Sequence, residues 1–146
     1  SYAKNWYSWG EYCEGLYHSK QNIQYARHAM GCYVQSLLHK YGTGKLTVPR
    51  LLWLLSMDNK EGTLASTLDE MSASLPPWTW IPWVPQLMSS LLRVEAPHIL
   101  VLLKSVAQYY PQAIYYTLRA FLLERRELRQ QLQHQMQQLQ QHQMQQ

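Results

Sequence analysis

Two cysteines, six histidines and a thin scatter of carboxylates are the residues of this 146-residue chain that could do chemistry. A cysteine acts as a nucleophile or metal ligand through its thiolate, which needs a base or a cation held beside it. Cys13 and Cys32 have no CxxC spacing, and no local motif singles out either one, so only a tertiary contact could bring His18 or His28 to them. Two buried thiols packing as small hydrophobes is the plain expectation, with a disulfide between neighbouring helices as the alternative. His18, His28 and His39 lack i, i+4 spacing to one another, and His98 stands alone. His134 and His142 repeat within a glutamine tract, which is repetition and not a set of convergent ligands. Asp69 and Glu70 are neighbours on a helix, so they point in different directions, as solvated residues do and an acid/base pair does not. The tetrapeptide Gly42-Thr43-Gly44-Lys45 is followed by Leu46 and preceded by no strand, so it reads as an inter-helix loop and not as a phosphate loop. No catalytic residue, cofactor-binding residue or metal ligand is assigned, and no cofactor is expected.

The elements that would have to position any such group are helical. No stretch sustains period-two alternation between turn residues, which places the chain in the all-α class. The spacing predicts helices from about Tyr2 to Ser19 and from Asn22 to Tyr41, separated from the next by a Gly42-Thr43-Gly44 break. Thr47 is expected to cap a third helix that turns Leu51, Leu52 and Leu55 inward, with Pro49 tolerated in its first turn. Asp58 and Glu61 resemble a capping box for a fourth, with Leu64, Leu68 and Met71 inward. Pro76 and Pro77 end it, and Trp78 to Pro85 is expected to be an irregular or single-turn entry to a helix that starts near Pro85 and buries Leu87, Leu91 and Leu92. Pro97 opens a sixth helix, whose Ile99, Leu102, Leu103, Val106 and Tyr110 follow the i, i+3, i+4, i+7 rule. After Pro111, a long last helix begins with Ile114, Leu118, Phe121 and Leu122.

Trp78, Trp80 and Trp83 alternate with prolines, and burial at a helix junction is the expectation for them, with an exposed anchor as the rival reading. Eleven of the seventeen residues from Gln130 to Gln146 are glutamine and none is charged. Leu128, Leu132, Met136 and Leu139 keep a helical stripe through this tract, which suits either a coiled-coil interaction segment or a solvated extension of the last helix. The net charge of +4 is dispersed, apart from Arg125, Arg126 and Arg129 with Glu124 and Glu127 among them. Nucleic-acid binding needs basic groups gathered on one face, so no direct nucleic-acid partner is expected. No apolar run approaches the ~20 residues needed to span a bilayer, so no membrane partner is expected either. The chain starts at Ser1 and stops within the glutamine tract, and it reads as a piece of a longer protein.

Trp6-x2-Trp9-Gly10, followed by Ala29-x3-Tyr33-x2-Ser36, is similar to the helix-pair signature of tetratricopeptide repeats. Gly10 and Ala29 would let two helices approach, with Trp6, Trp9 and Tyr33 filling the gaps. Such pairs form a core only by stacking, so the expected architecture is a solenoid of antiparallel helix pairs with a long C-terminal helix. The segment Arg50-Leu51-Leu52-Trp53-Leu54-Leu55-Ser56-Met57-Asp58, together with WIPWVPQL and YPQAIYYTLR, resembles the FAT domain of the phosphatidylinositol-3-kinase-related kinase family, and within it the pseudokinase coactivator branch. The resemblance covers about Trp6 to Glu124. It implies a FAT-type helical-repeat segment over 1–129 and a Gln-rich extension or insertion over 130–146. It also implies a non-catalytic nuclear scaffold whose partners are protein subunits of SAGA-type histone acetyltransferase complexes and transcription activators. The alternatives are the FAT segment of an active Ser/Thr kinase or an independent helical-repeat adaptor. Packing of Trp53, Trp80, Trp83, Leu87, Leu103 and Tyr110 between consecutive helices is the physical content expected of the scaffold.

Overall fold

The computed structural model describes residues 2–39 and 46–144, and these residues form seven α-helices and one 3-10 helix with no strand among them. Helix α1 spans Tyr2–Lys20 and α2 spans Ile23–Leu38. Gln21 closes α1 in a left-handed conformation at φ 53°, its amide donating to the Tyr17 carbonyl at 2.8 Å. Asn22 then starts α2, its side-chain oxygen accepting from the Gln24 amide at 3.0 Å, which satisfies one of the donors that every helix start leaves orphaned. The two helices make the most extensive pairing in the molecule, an antiparallel hairpin. The expected end of α2 at Tyr41, the Gly42-Thr43-Gly44 break and the GTGK loop lie outside the described residues.

Helices α3 (Thr47–Ser56) and α4 (Thr63–Ser72) follow. Thr47 is not the cap of α3. It is the first helical residue, fully buried, and Leu46 takes the cap position without a side-chain hydrogen bond. Leu51 and Leu55 are inward as expected, joined by Leu54, while Leu52 is only half-buried. The Asp58/Glu61 capping box does not form either. Gly62 occupies the cap position at φ 70°, and the loop before it does the capping. The Asp58 carboxylate accepts from the Leu64 amide at 2.8 Å and the Ala65 amide at 2.9 Å, and Asn59 Oδ1 accepts from the Thr63 amide at 3.0 Å. A left-handed glycine folds the loop back over the helix start, so a carboxylate six residues away reaches amides that a box residue would otherwise take. Asp58→Ala removes charge-assisted bonds to these two helix amides and to the Asn59 amide and should lower stability by about 1–2 kcal/mol, while Glu61→Ala should change it by less than ~0.5 kcal/mol. Urea denaturation of the two variants beside the parent checks this.

The proline-rich stretch forms the 3-10 helix Pro77–Trp83, which leads into α5 (Val84–Ser90), α6 (Ala96–Tyr109) and α7 (Pro111–Met144). Pro97 sits in the first turn of α6, and Ile99, Leu102, Leu103 and Val106 are its buried residues. The 3-10 helix packs on α6 and α5, and α7 leans on α6 and α5. One continuous core runs from Cys13 in α1 through Leu51, Leu64 and Trp80 to Ile114 in α7. Three expected core residues lie elsewhere. Leu92 is 57% exposed because α5 ends at Ser90 and the chain turns away, and Trp53 and Tyr110 each keep more than a third of their surface in solvent. Of the three alternating tryptophans only Trp80 is buried, with Trp83 half-buried and Trp78 exposed. A 3-10 turn repeats every three residues, so tryptophans two and three positions apart cannot all face one neighbour.

Candidate functional site

Gly10 on α1 faces Tyr33 on α2, and a Cβ at Gly10 would lie 2.7 Å from the Tyr33 ring. That approach lets the ring pass under α1 and carry its hydroxyl to Glu14, to which it donates a hydrogen bond. Arg50, in the first turns of α3, reaches the same point. Its guanidinium donates to Glu14 Oε2 at 3.0 Å and to the Tyr33 hydroxyl at 3.2 Å, and pairs with Glu11 at 3.2 Å. It also lies over the Tyr7 ring, 5.9 Å from its centroid. Three helices thus meet at one polar clasp.

Burial, then Glu14 as hydrogen-bond partner and neighbouring charge, pushes the Tyr33 phenol far above its ordinary value. Burial also raises Tyr7. Burial works against the Arg50 charge, but Tyr33 and Glu14 outweigh it and hold the guanidinium firmly protonated. A phenol, a carboxylate and an arginine in contact could move a proton, yet Tyr33 is 0% exposed, so no substrate can reach its hydroxyl. The clasp joins helices. The sequence reading selected Tyr33 only as a gap filler and passed over Glu14 and Arg50, and 36 positions separate that pair.

Cys13 and Cys32 are free, buried and hydrogen-bonded to each other across the hairpin, which is the plain expectation and not the disulfide. Burial and the neighbouring thiol push Cys32 up to about 11, and burial raises Cys13. Thiolate is scarce at neutral pH, so native alkylation by iodoacetamide should be at least ~100-fold slower than in denaturant. The same shift has a stability consequence. The unfolded thiol titrates near ~8.5, so the native state holds more protons above that pH, and stability should fall as pH rises from there toward 11. Denaturation midpoints at pH 7.5 and 10.5 check the sign.

The histidines do not converge. His18 stacks on Trp53 at 5.1 Å, His39 meets Tyr2 edge-on at 4.9 Å, and His134 bonds Gln138 at 3.0 Å. His98 contacts Asp69 at 3.0 Å, tying α6 to α4, so Asp69 is more than the solvated residue its sequence neighbours suggest. His28 lines an open cleft of about 500 Å³ with Trp6, Trp9, Arg27 and Cys32. Among the described residues no group of three or more His, Cys, Asp or Glu could hold a metal ion.

Several large apolar and aromatic residues are also exposed. Trp9 is 57% exposed and packs on Tyr12 at 5.3 Å, so it lies outside the hairpin it was expected to fill. A greasy groove of about 180 Å³ runs between α6 and α7 past Leu91, Leu100, Leu103, Ile114 and Leu118. Beyond Phe121, every described residue of α7 is exposed. Unsatisfied apolar faces flanking a closed core are the surfaces by which stacked helix pairs meet neighbours. No helix of the described residues is long and apolar enough to cross a membrane.

No family model matches the chain. It is similar to the "Transcription-associated protein 1" of Drosophila melanogaster, with 36% identity over 122 residues, 83% of this chain and 3% of that protein. It is 33% identical over 122 residues, again 83% of this chain and 3% of the relative, to the "Transformation/transcription domain-associated protein" of Homo sapiens. It is 36% identical over 119 residues, 80% of this chain and 3% of the relative, to the "SAGA complex/NuA4 acetyltransferase complex subunit TRA1" of Saccharomyces cerevisiae. The chain therefore spans about 3% of the length of these relatives.

Proposed function

Because this chain is a TRRAP-like segment, belonging with the TRRAP/Tra1 transcription-associated proteins, we propose that it is a non-catalytic scaffold segment of a histone acetyltransferase coactivator subunit. The observation that carries this reading is the similarity over about four-fifths of the chain to relatives that include one named as a subunit of SAGA and NuA4 acetyltransferase complexes. The geometry supports it. The cluster of ionisable groups that bridges α1, α2 and α3 is built around the fully buried Tyr33 and ties the helices together, and exposed apolar and aromatic residues flank the core. Such a segment transmits shape. Its helix pairs stack on neighbouring pairs, and its free faces hold other subunits or docked activators, in the nucleus and without ATP chemistry of its own. The 1–129 portion acts as the repeat body and 130–146 as its extension.

The test is affinity purification of the full-length protein from nuclei, with subunits identified by mass spectrometry and the eluate assayed for histone acetylation and protein phosphorylation. Co-purifying acetyltransferase subunits without intrinsic phosphorylation is the expected result. Phosphorylation that disappears with an ATP-site mutation would make the parent an active kinase. A protein that brings down neither activity would be an independent adaptor.

A further inference from the structure

Cys13 and Cys32 are nucleophilic groups that the clasp does not use. They lie on facing stretches of the α1–α2 hairpin, each 6% exposed, with their thiols hydrogen-bonded to each other. The hairpin is narrow at this level. Gly10, one turn before Cys13, would bring a Cβ to 2.7 Å from the Tyr33 ring, and Tyr33 directly follows Cys32. The two sulfurs differ in their surroundings. Cys13 belongs to the continuous core, whereas Cys32 also lines the open cleft of about 500 Å³ beside Trp6, Trp9 and His28. We propose that this pair is an oxidative modification site, at which hydrogen peroxide entering by the cleft converts the two thiols to a disulfide that staples α1 to α2. The staple does not depend on the scaffold reading.

The Cys32 thiolate attacks one peroxide oxygen, the O–O bond breaks, and the departing hydroxide takes up the thiol proton as water, leaving a sulfenic acid at Cys32. Cys13 Sγ then attacks Cys32 Sγ. The S–S bond forms as the S–O bond breaks, and the Cys13 proton leaves with the hydroxyl as a second water. Two thiols and one peroxide thus become one disulfide and two waters, with two electrons passing from sulfur to peroxide. A disulfide cannot bridge Cα atoms more than ~7 Å apart, and thiols in contact across a narrow hairpin are the arrangement that suits this limit. Burial holds both thiols protonated, so the first step is slow at neutral pH and the pair stays reduced through brief exposure. Glu14 directly follows Cys13 as Tyr33 follows Cys32, so the staple fixes the part of the hairpin that receives Arg50 from α3.

The test treats the native full-length protein with excess hydrogen peroxide at about pH 9, where thiolate is less scarce. Remaining thiols are blocked with iodoacetamide in denaturant, and the protein is digested with trypsin without reduction and read by mass spectrometry. Cleavage after Lys4, Lys20, Arg27 and Lys40 puts Cys13 in residues 5–20 and Cys32 in residues 28–40, so the disulfide joins two separate peptides. The joined pair should hold at least about tenfold more of the oxidised Cys32 than sulfinic acid and mixed disulfides together. In Cys13→Ala the second step is lost, and dimedone should trap the sulfenic acid at Cys32. In Cys32→Ala the core-facing Cys13 should take up at least about tenfold less dimedone. The parent protein supplies the first measurement without any substitution, so it stands even where a variant misfolds. Absence of the joined pair, Cys32 found mainly as sulfinic acid or in mixed disulfides, or equal dimedone labelling in the two folded variants would each overturn the proposal.

Discussion

Trp80→Ala should lower the stability of this chain by about 3–5 kcal/mol, the usual cost of deleting a buried aromatic side chain, while Trp78→Ala should cost less than ~1 kcal/mol. The two residues are two positions apart in the same 3-10 helix, yet Trp80 is 2% exposed and Trp78 is 40% exposed. Trp80 shares one core with Val84, Leu87 and Ile99, which belong to the two helices the 3-10 segment packs against. Its removal leaves a cavity where Pro76, Pro77 and Pro82 stiffen the backbone and resist collapse. The loss should therefore fall near the top of the range. Trp83→Ala, at a half-buried site, should fall between the two. Urea denaturation monitored by circular dichroism separates the three. Equal losses for Trp78 and Trp80 would mean that the 3-10 helix does not present Trp80 alone to the core.

A second large effect is expected from one methyl group. Gly10→Ala should destabilise the chain by about 1–3 kcal/mol, although alanine is worth roughly 1 kcal/mol more than glycine inside a helix. The added Cβ would sit 2.7 Å and 2.8 Å from two atoms of the Tyr33 ring, inside any real contact distance. A flexible side chain would swing aside. This ring cannot, because it is fully buried and its hydroxyl is held by Glu14 and Arg50. Either α1 moves off α2 or the clasp to α3 opens. Gly15→Ala provides the internal control. No atom lies within 4 Å of its added Cβ, so it should gain about 0.5–1 kcal/mol from propensity alone. Opposite signs for the same substitution five residues apart on one helix would isolate the close approach as the cause, and a gain at both would show that Gly10 is not at a contact.

The expected helices of 47–144 stand close to where the spacing put them. Local rules suffice there, since a proline in an α-helix is favoured in the first turn, and Ile99, Leu102, Leu103 and Val106 repeat at the helical period whatever packs on them. Gly10 and Tyr33 were expected at the hairpin interface because both match the tetratricopeptide helix-pair signature, but their direct contact is a finding of the structure. The caps of α3 and α4 were not legible. Thr47 and the Asp58/Glu61 pair have the right side chains, but the chain path before each helix decides which oxygen reaches the amides.

The clasp was not legible for a stronger reason. Glu14 and Arg50 carry no mark distinguishing them from other charged residues, and they meet only after α1, α2 and α3 have packed. By itself the amino-acid order determined the all-α class, the helix-pair resemblance and the uncharged Leu-striped tract, because each depends on periodicity or composition along the chain. Only the tertiary structure decided that Trp80 and not Trp78 or Trp53 is buried, that the two thiols face each other, and that α7 runs free beyond Phe121. Burial depends on which neighbour covers a face, and the covering residues come from elsewhere in the chain.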